Sequence, residues 1–299
     1  LALADLAAAG KLNPEQTDRF IRTLIDQPTL LRRVRTKAMS APQMKINKIG
    51  FGSRILRPAV ESTALAVGDR AKPDLSQIQL DTNEVIAEVR IPYAVLEDNI
   101  EGGNVNVDPQ NGAGGMHQTI VDLIAERAAL DLEELGILGD TASADPYLKL
   151  QDGFLKRATA NVVNAAGVIS KDVIKAGVKA MPDKYLRNRA AMLHFLSTDN
   201  ETDLRDQYAS RQTALGDAHL QSANRIMVFG SNVEPTALMP TANGLLTEPI
   251  NLIFSIQHDI MIEYDKDIRT REFIIVLTSR VAFQIEEVNA VVKYSGITP

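Results

Sequence analysis

One stretch constrains the fold more than any other. Residues 116–138 read MHQTIVDLIAERAALDLEELGIL and follow a glycine-rich run. Val121, Ile124, Ala125, Ala128, Leu132 and Leu135 recur at spacings of three, four and seven, which predicts one long amphipathic helix. Thr119 with Asp122 has the form of a capping box, and Gly139 with Asp140 ends the run. At 1.5 Å per residue the rod is roughly 30 Å long, nearly twice an average helix. Asp122, Glu126, Glu133 and Glu134 fall mostly off the apolar stripe and are expected to face water or another chain. A helix of that length in a mid-sized chain serves as a beam for the rest.

Composition narrows what is built on it. The 299 residues hold no cysteine and no tryptophan. Disulfides, thiolate chemistry and cysteine-based zinc sites are excluded, and stacking platforms for single-stranded nucleic acid are disfavoured. No run approaches 18 apolar residues, so no membrane span is expected, and the first sixteen residues lack the pattern of a secretory signal. The formal charge of −6 hides an asymmetry. Residues 1–57 carry eleven Lys/Arg against four Asp/Glu, whereas residues 58–150 carry five against seventeen. A basic arm ahead of an acidic body implies either attraction between copies, contact with a polyanion, or a plain solvated helix.

Asn13 and Pro14 open a first helix with Phe20, Ile21, Leu24 and Ile25 on its apolar face, and residues 29–39 read as a short basic helix. This pair is too small to bury a core alone. From Lys45 the pattern becomes extended. Two arms, about 46–56 and 78–92, flank a tip rich in small residues between Pro58 and Pro73. They predict a long projecting hairpin that must rest on something, a neighbouring subunit included. Beyond the long helix, Asp152 and Gly153 turn the chain into a second lobe. Ser170 caps a helix through Val173, Ile174, Val178 and Met181; strands follow at 187–197 and 224–229, with a polar helix at 198–214. Strands at 251–264, 271–285 and 290–294 close the chain, broken at 265–267 and 286–287. The long strand at 271–284 calls for an equally long neighbour, which the helix supplies.

No residue pattern carries chemistry well. The glycines at 112, 114 and 115 precede a helix but lack the Lys-Ser/Thr of a phosphate loop. His117, His194, His219 and His258 show no ligand spacing, and His194 reads as a satisfied buried residue. His258 and Asp259 lack a nucleophile elbow to work with. Asp199, Glu201 and Asp203 resemble the start of a calcium loop, but Leu204 and Ser210 stand where it needs Gly and Glu; acids in a first helical turn are the simpler reading. No catalytic, cofactor-binding or metal-binding residue is assigned and no cofactor is expected.

The order of parts is similar to that of another group. A basic arm, a hairpin, a long acidic helix followed by DGFL, an α/β lobe and the closing segment IEYDKDIRTREFIIVLTSRVAFQIEEVNAVV together resemble the major capsid proteins of tailed bacteriophages, whose fold is shared with encapsulin shells. The resemblance implies an α+β fold with an N-terminal arm (1–49), an extended hairpin loop (50–92), a peripheral domain with spine helix and long-strand sheet (93–156 and 262–299) and an axial α/β domain (157–261). It implies a structural protein, not an enzyme, that assembles with itself through pentamers and hexamers into an icosahedral head. Double-stranded DNA inside would be held without sequence reading, and portal, scaffold and auxiliary capsid proteins would be partners. The site of action would be the virion, with assembly in the host cytoplasm and no membrane involved. Two other readings stay open: an encapsulin-like compartment with a cargo enzyme, and an α+β enzyme whose site the sequence hides.

Overall fold

The computed structural model describes residues 28–52, 54–58, 64–92, 116–210, 225–257 and 261–298. The expected helix from Asn13, the glycine run at 112–115, His219 and His258 lie outside the described residues. The long helix, α1, spans Met116–Leu138. It therefore starts three residues before Thr119, so the expected capping box is not at its N-terminus. Its C-terminus is set by close approach: a Cβ on Gly139 would sit 2.2 Å from the Gln151 carbonyl oxygen, and one on Gly153 would sit 2.7 Å from that of Gly136. Only glycine lets the returning chain cross there, and Gly153 N–H donates to the Gly139 carbonyl at 2.8 Å. The returning chain then forms the short helix α2 (Phe154–Arg157), whose Phe154 and Leu155 are buried.

The beam lies on a five-stranded sheet. Its long strand, β12 (Glu272–Ile285), is flanked on one side by β4 (Asn83–Pro92) and on the other by β11 (Met261–Asp267) and β10 (Leu252–Gln257), all antiparallel to it. β1 (Arg35–Met39) pairs in parallel with β10. Alternation along β12 sends Ile275, Leu277, Val281, Phe283 and Ile285 to one face, where they meet Ala125, Ala129, Leu132 and Leu135 of α1. Phe283 is the pivot. Its ring stacks on Phe254 at 5.1 Å and meets Phe154 edge-on at 5.7 Å. It also fills the place a side chain on Gly136 would take, 2.8 Å from that Cβ position.

The second sheet has the order β5–β13–β9–β6–β8–β7, with β5 at Asn161–Gly167, β6 at Leu193–Leu196, β7 at Met227–Val228, β8 at Ser231–Pro235, β9 at Gly244–Thr247 and β13 at Val291–Ile297. Helix α3 (Lys171–Ala180) covers one face, capped by the Ser170 hydroxyl as the sequence predicts. The other face sends Leu193, Phe195, Leu245 and Val291 into the same core as α1 and β12. Helix α4 (Thr198–Ala209) lies along β8. The closing strand β13 thus joins this second sheet instead of the long-strand sheet, while β10 joins the long-strand sheet. Further, β11 runs through Asp267, and the chain turns at residues 268–271 instead of 265–267.

The basic segment at 29–39 is not a helix. Leu30, Leu31 and Val34 are buried in a turn against α1, and residues 35–39 extend along β10. Once these apolar side chains are spent in the turn, the ladder satisfies the remaining backbone better than an isolated helical turn would. Glu133 anchors the turn. It is 1% exposed, accepts the Leu30 N–H and accepts the Thr29 hydroxyl at 3.2 Å. The expectation that Glu133 faces water or another chain is therefore corrected: its partner is the chain's own arm. Replacing Glu133 with Ala strands a buried N–H and should cost about 1–3 kcal/mol. Urea unfolding would measure it, and a loss well under that range would show that the anchor is dispensable.

Candidate intersubunit surfaces

The hairpin is built from β2 (Gln43–Gly50) and β3 (Asp74–Asp81), paired antiparallel from Gln43 opposite Asp81 to Gly50 opposite Asp74. β4, expected from sequence as part of its return arm, belongs instead to the body sheet. Alternation gives the stem two faces. Near the root, Met44, Ile46 and Leu80 pack on Met39, Ile253 and Ala282, on the side of the body sheet away from α1. The stem thus rests first on its own subunit. Towards the tip that support ends: Ile49 and Leu75 oppose each other at 71% and 73% exposure. Phe51, Ile55, Leu56 and Leu65 are also exposed, Leu56 at 79%. Arg54, Arg57, Arg70 and Lys72 stand in the same stretch of sequence as Glu61, Asp69 and Asp74.

A polar clasp sets the direction of the stem. The Lys48 ammonium donates to the Glu286 carbonyl and, at 3.1 Å, to the Glu287 carboxylate. Gln284 Nε2 donates to the Gln79 carbonyl at 2.9 Å, and Arg35 pairs with the Glu286 carboxylate. Partial burial works against charge on Glu287, but hydrogen bonds from Lys48 and Asn289 outweigh it and hold the carboxyl below its ordinary pKa. Arg33 pairs with Glu234 at 3.5 Å. Three of the arm's cations, Arg33, Arg35 and Lys48, are therefore paired within the chain. Arg33 and Arg35 also line an open groove of about 460 Å³ with Ala191, Glu248, Pro249 and Ile250.

The outer face of α1 carries exposed Leu123 and Glu126, and an ion pair of Arg127 with Asp131 at 2.8 Å. Glu134 is half-buried. The Tyr147 hydroxyl donates to the Asp131 carbonyl at 2.7 Å, and burial, helped by Asp131 and Glu134, pushes that phenol's pKa up. Of the four acids expected on one face, Glu126 and Glu134 remain there and Glu133 does not.

The residues weighed for chemistry are dispersed. Asp199 and Glu201 stand in the first turn of α4, where Glu201 pairs with Arg205 at 2.6 Å. Among the described residues no three His, Asp or Glu side chains gather as a metal site, and no helix is long and apolar enough to cross a membrane. His194 is buried, as expected, but only half satisfied. Its Nδ1 lies 3.1 Å from the Tyr294 hydroxyl, while Nε2 has no partner. Burial pushes the imidazole pKa down to about 4.

Sequence reasoning missed the exposed apolar set around the tip, reading residues 51–56 only as strand. The signal was present: apolar side chains between glycine and proline, on an element with no second layer. It also missed the Lys48, Glu286 and Glu287 clasp, which joins residues more than two hundred positions apart and has no local pattern.

No protein-family model matches the sequence. A putative prophage capsid protein of Bacillus subtilis is 42% identical over 98% of this chain and 94% of its own length. Among solved structures, a chain of the satellite phage P4 procapsid aligns with 99% of this chain and 95% of its own, at TM-score 0.70 and 16% identity. A capsid chain of an empty GTA particle aligns over 91% of each chain at TM-score 0.63 and 16% identity. A chain from Mycobacterium phage Adephagia aligns with 100% of this chain and 99% of its own at TM-score 0.60 and 15% identity. The last three show the α+β capsid fold. None of these gives the encapsulin-like reading specific support.

The buried histidine yields a prediction. Between pH 6.5 and about 4 the unfolded chain binds a proton that folded His194 refuses, so stability falls with falling pH across that window. The full effect, below about pH 4, is roughly 3 kcal/mol. In His194→Leu that slope should vanish, although the variant starts less stable because the Tyr294 hydroxyl loses its partner. Urea midpoints of both proteins from pH 7.5 to 4.5 would test this; parallel curves would refute it.

Proposed function

The chain belongs to the family of prophage capsid proteins and is a structural component of the virion capsid, not an enzyme; from that membership we propose that its copies join through pentamers and hexamers into an icosahedral head enclosing double-stranded DNA. The observation that carries the assembly is the hairpin. Its root is seated on the subunit's own sheet, but its outer half offers Ile49, Phe51, Ile55, Leu56, Leu65 and Leu75 to solvent. Two strands with no second layer are marginal in water, and an apolar patch of this kind marks a contact surface. The hairpin of β2 and β3 then acts as the reach between subunits, α1 with the sheet of β1, β4, β10, β11 and β12 as the peripheral part, and the second sheet with α3 and α4 as the axial part.

DNA inside such a shell needs only dispersed basic contacts, since phosphate binding is not sequence-specific. Assembly in the host cytoplasm with portal, scaffold and auxiliary capsid proteins completes the reading. Negative-stain microscopy of the purified protein tests it: rings or uniform shells are expected, and a small discrete oligomer at every concentration would overturn it. Nuclease-protected DNA in particles from an infected or induced host tests the cargo. Deleting residues 58–73 removes part of the exposed set and none of the body core. That variant should stay folded by circular dichroism and remain soluble, yet form no stable shells. Normal shells from it would remove the tip from the interface.

A further inference from the structure

We propose that a stripe of lysines on α3 of one copy lies against a stripe of aspartates on α4 of the next, and that this pairing fixes the direction in which copies follow one another around a ring. This rests on the shell reading above and names what orders the ring. Lys171, Lys175 and Lys179 recur every four residues, share one side of α3 and are all exposed. Asp199, Asp203 and Asp206 recur at four and three on α4, the outer two exposed and Asp203 half-buried. Among the described residues none of the six joins an ion pair. The cation of α4, Arg205, is already paired with Glu201 at 2.6 Å. Like charges four apart on a helix repel one another, so each stripe destabilises its own helix and nothing within the chain offsets it.

The chain cannot bring its own two stripes together. α3 covers β5 and β13 at one end of the second sheet, and α4 lies along β8 near the other. Both helices lie on the same face, since Ile174 and Val178 of α3 and Leu204 of α4 enter one core. β5 and β8 are four strand spacings apart, roughly 20 Å. Both ends of the sheet are open among the described residues: β5 pairs with β13 alone and β7 with β8 alone. The same ends expose apolar side chains on the face away from the helices. Val163 points toward the helices, so Val162, 54% exposed, points away; Val228 points toward them, so Met227, 63% exposed, points away. A copy turned about a ring axis brings the β7 end of one subunit to the β5 end of the next. Lysine then meets aspartate in the helix layer, and Val162 comes near Met227 beneath it.

Strand directions give the register. β5 and β13 are parallel, β13 and β6 each run antiparallel to β9, and β6 and β8 are parallel. β5, β6 and β8 therefore point the same way. α3 and α4 sit in the crossovers from β5 to β6 and from β6 to β8, so both run back against the strands. Helices of neighbouring copies thus lie parallel, with Lys171 by Asp199, Lys175 by Asp203 and Lys179 by Asp206. The stripes match in length, roughly 12 and 11 Å at 1.5 Å per residue. Each exposed pair adds little affinity, but together they reject a wrong neighbour. An isologous contact would set lysine against lysine or aspartate against aspartate. Only a head-to-tail contact joins unlike charges, and that is the contact that closes rings.

Charge reversal reads this out in the number of subunits per ring. Lys171→Glu with Lys175→Glu and Lys179→Glu makes both stripes acidic; Asp199→Lys with Asp203→Lys and Asp206→Lys makes both basic. Each triple variant, checked as folded by circular dichroism, should lose particle yield about tenfold because neighbours carry like charge. Mixed, the two proteins can only alternate, so six-membered rings return and five-membered ones do not. One chain carrying all six substitutions regains both, as counted in negative-stain class averages. A mixture no better than its components, or a combined variant no better than the triples, overturns the pairing. Triple variants that form normal particles overturn it as well, and a lysine variant that does so while holding less DNA assigns that stripe to phosphates. Where a triple variant unfolds, a crosslink decides. The chain has no cysteine, so Lys175→Cys with Asp203→Cys offers a short bismaleimide two defined thiols. Assembled particles should give a ladder of linked subunits on a denaturing gel, which neither single variant gives. Assembled particles without that ladder overturn the proposal and leave the shell reading intact; a wild-type protein that forms neither rings nor shells sinks both.

Discussion

The carboxylate of Glu133 is the contact on which the placement of everything N-terminal depends. It sits on the long helix, out of water, and its ligands are a backbone N–H and a hydroxyl of the arm more than a hundred residues away in sequence. Burying an acid without such partners is costly, so the arm has one position in which the helix is satisfied. That position puts Leu30 and Leu31 into the core and starts β1 in line with β10. From there the order is forced: β1 leads to the hairpin root, the root lies on Ile253 and Ala282, and β3 passes directly into β4 on the far flank of β12.

Glycine and phenylalanine supply the second constraint. Gly136 lets the Phe283 ring reach the helix backbone, and Gly139 with Gly153 lets the chain after the helix cross its end. Three close approaches within one helical turn leave little freedom for the helix to slide along β12. The beam and sheet therefore act as one rigid piece, and the same core continues through Phe195 and Leu245 into the second sheet. The hairpin is the contrast: it is held at its root by a small apolar patch and at its flank by exposed or half-exposed ion pairs, which contribute little to stability but set direction.

Periodicity made the long helix, the Ser170-capped helix and most strands legible, because their side chains obey the spacing their own element imposes. The order of those parts was enough to reach the capsid fold. What failed was decided by distant residues. The segment at 29–39 has helical composition, but β10 offered it a ladder, and nothing local announces β10. Glu133 lies off the apolar stripe, so it read as solvent-facing; only the arm's N–H accounts for its burial. β4 alternates cleanly and was assigned to the nearest preceding arm, whereas its long partner β12 lies nearly two hundred residues away. His194 was legible as buried, but its empty Nε2 was not, since satisfaction depends on β13 bringing Tyr294 to one nitrogen only.

The two incomplete surfaces have one physical cause. A subunit of a closed shell cannot finish its own hydrophobic burial without becoming a stable monomer that has no reason to assemble. Here the deficit is placed at the hairpin tip and along β4, whose Val85, Ala87, Val89 and Ile91 are only partly buried against α1, and the rigid beam keeps them apart. Both carry safeguards against indiscriminate association: arginines beside the exposed apolar side chains of the tip, carboxylates beside Ile86. The absence of cysteine fits the same economy. Such contacts must form and re-form until a ring closes, and reversible apolar and ionic contacts permit correction where covalent ones would not.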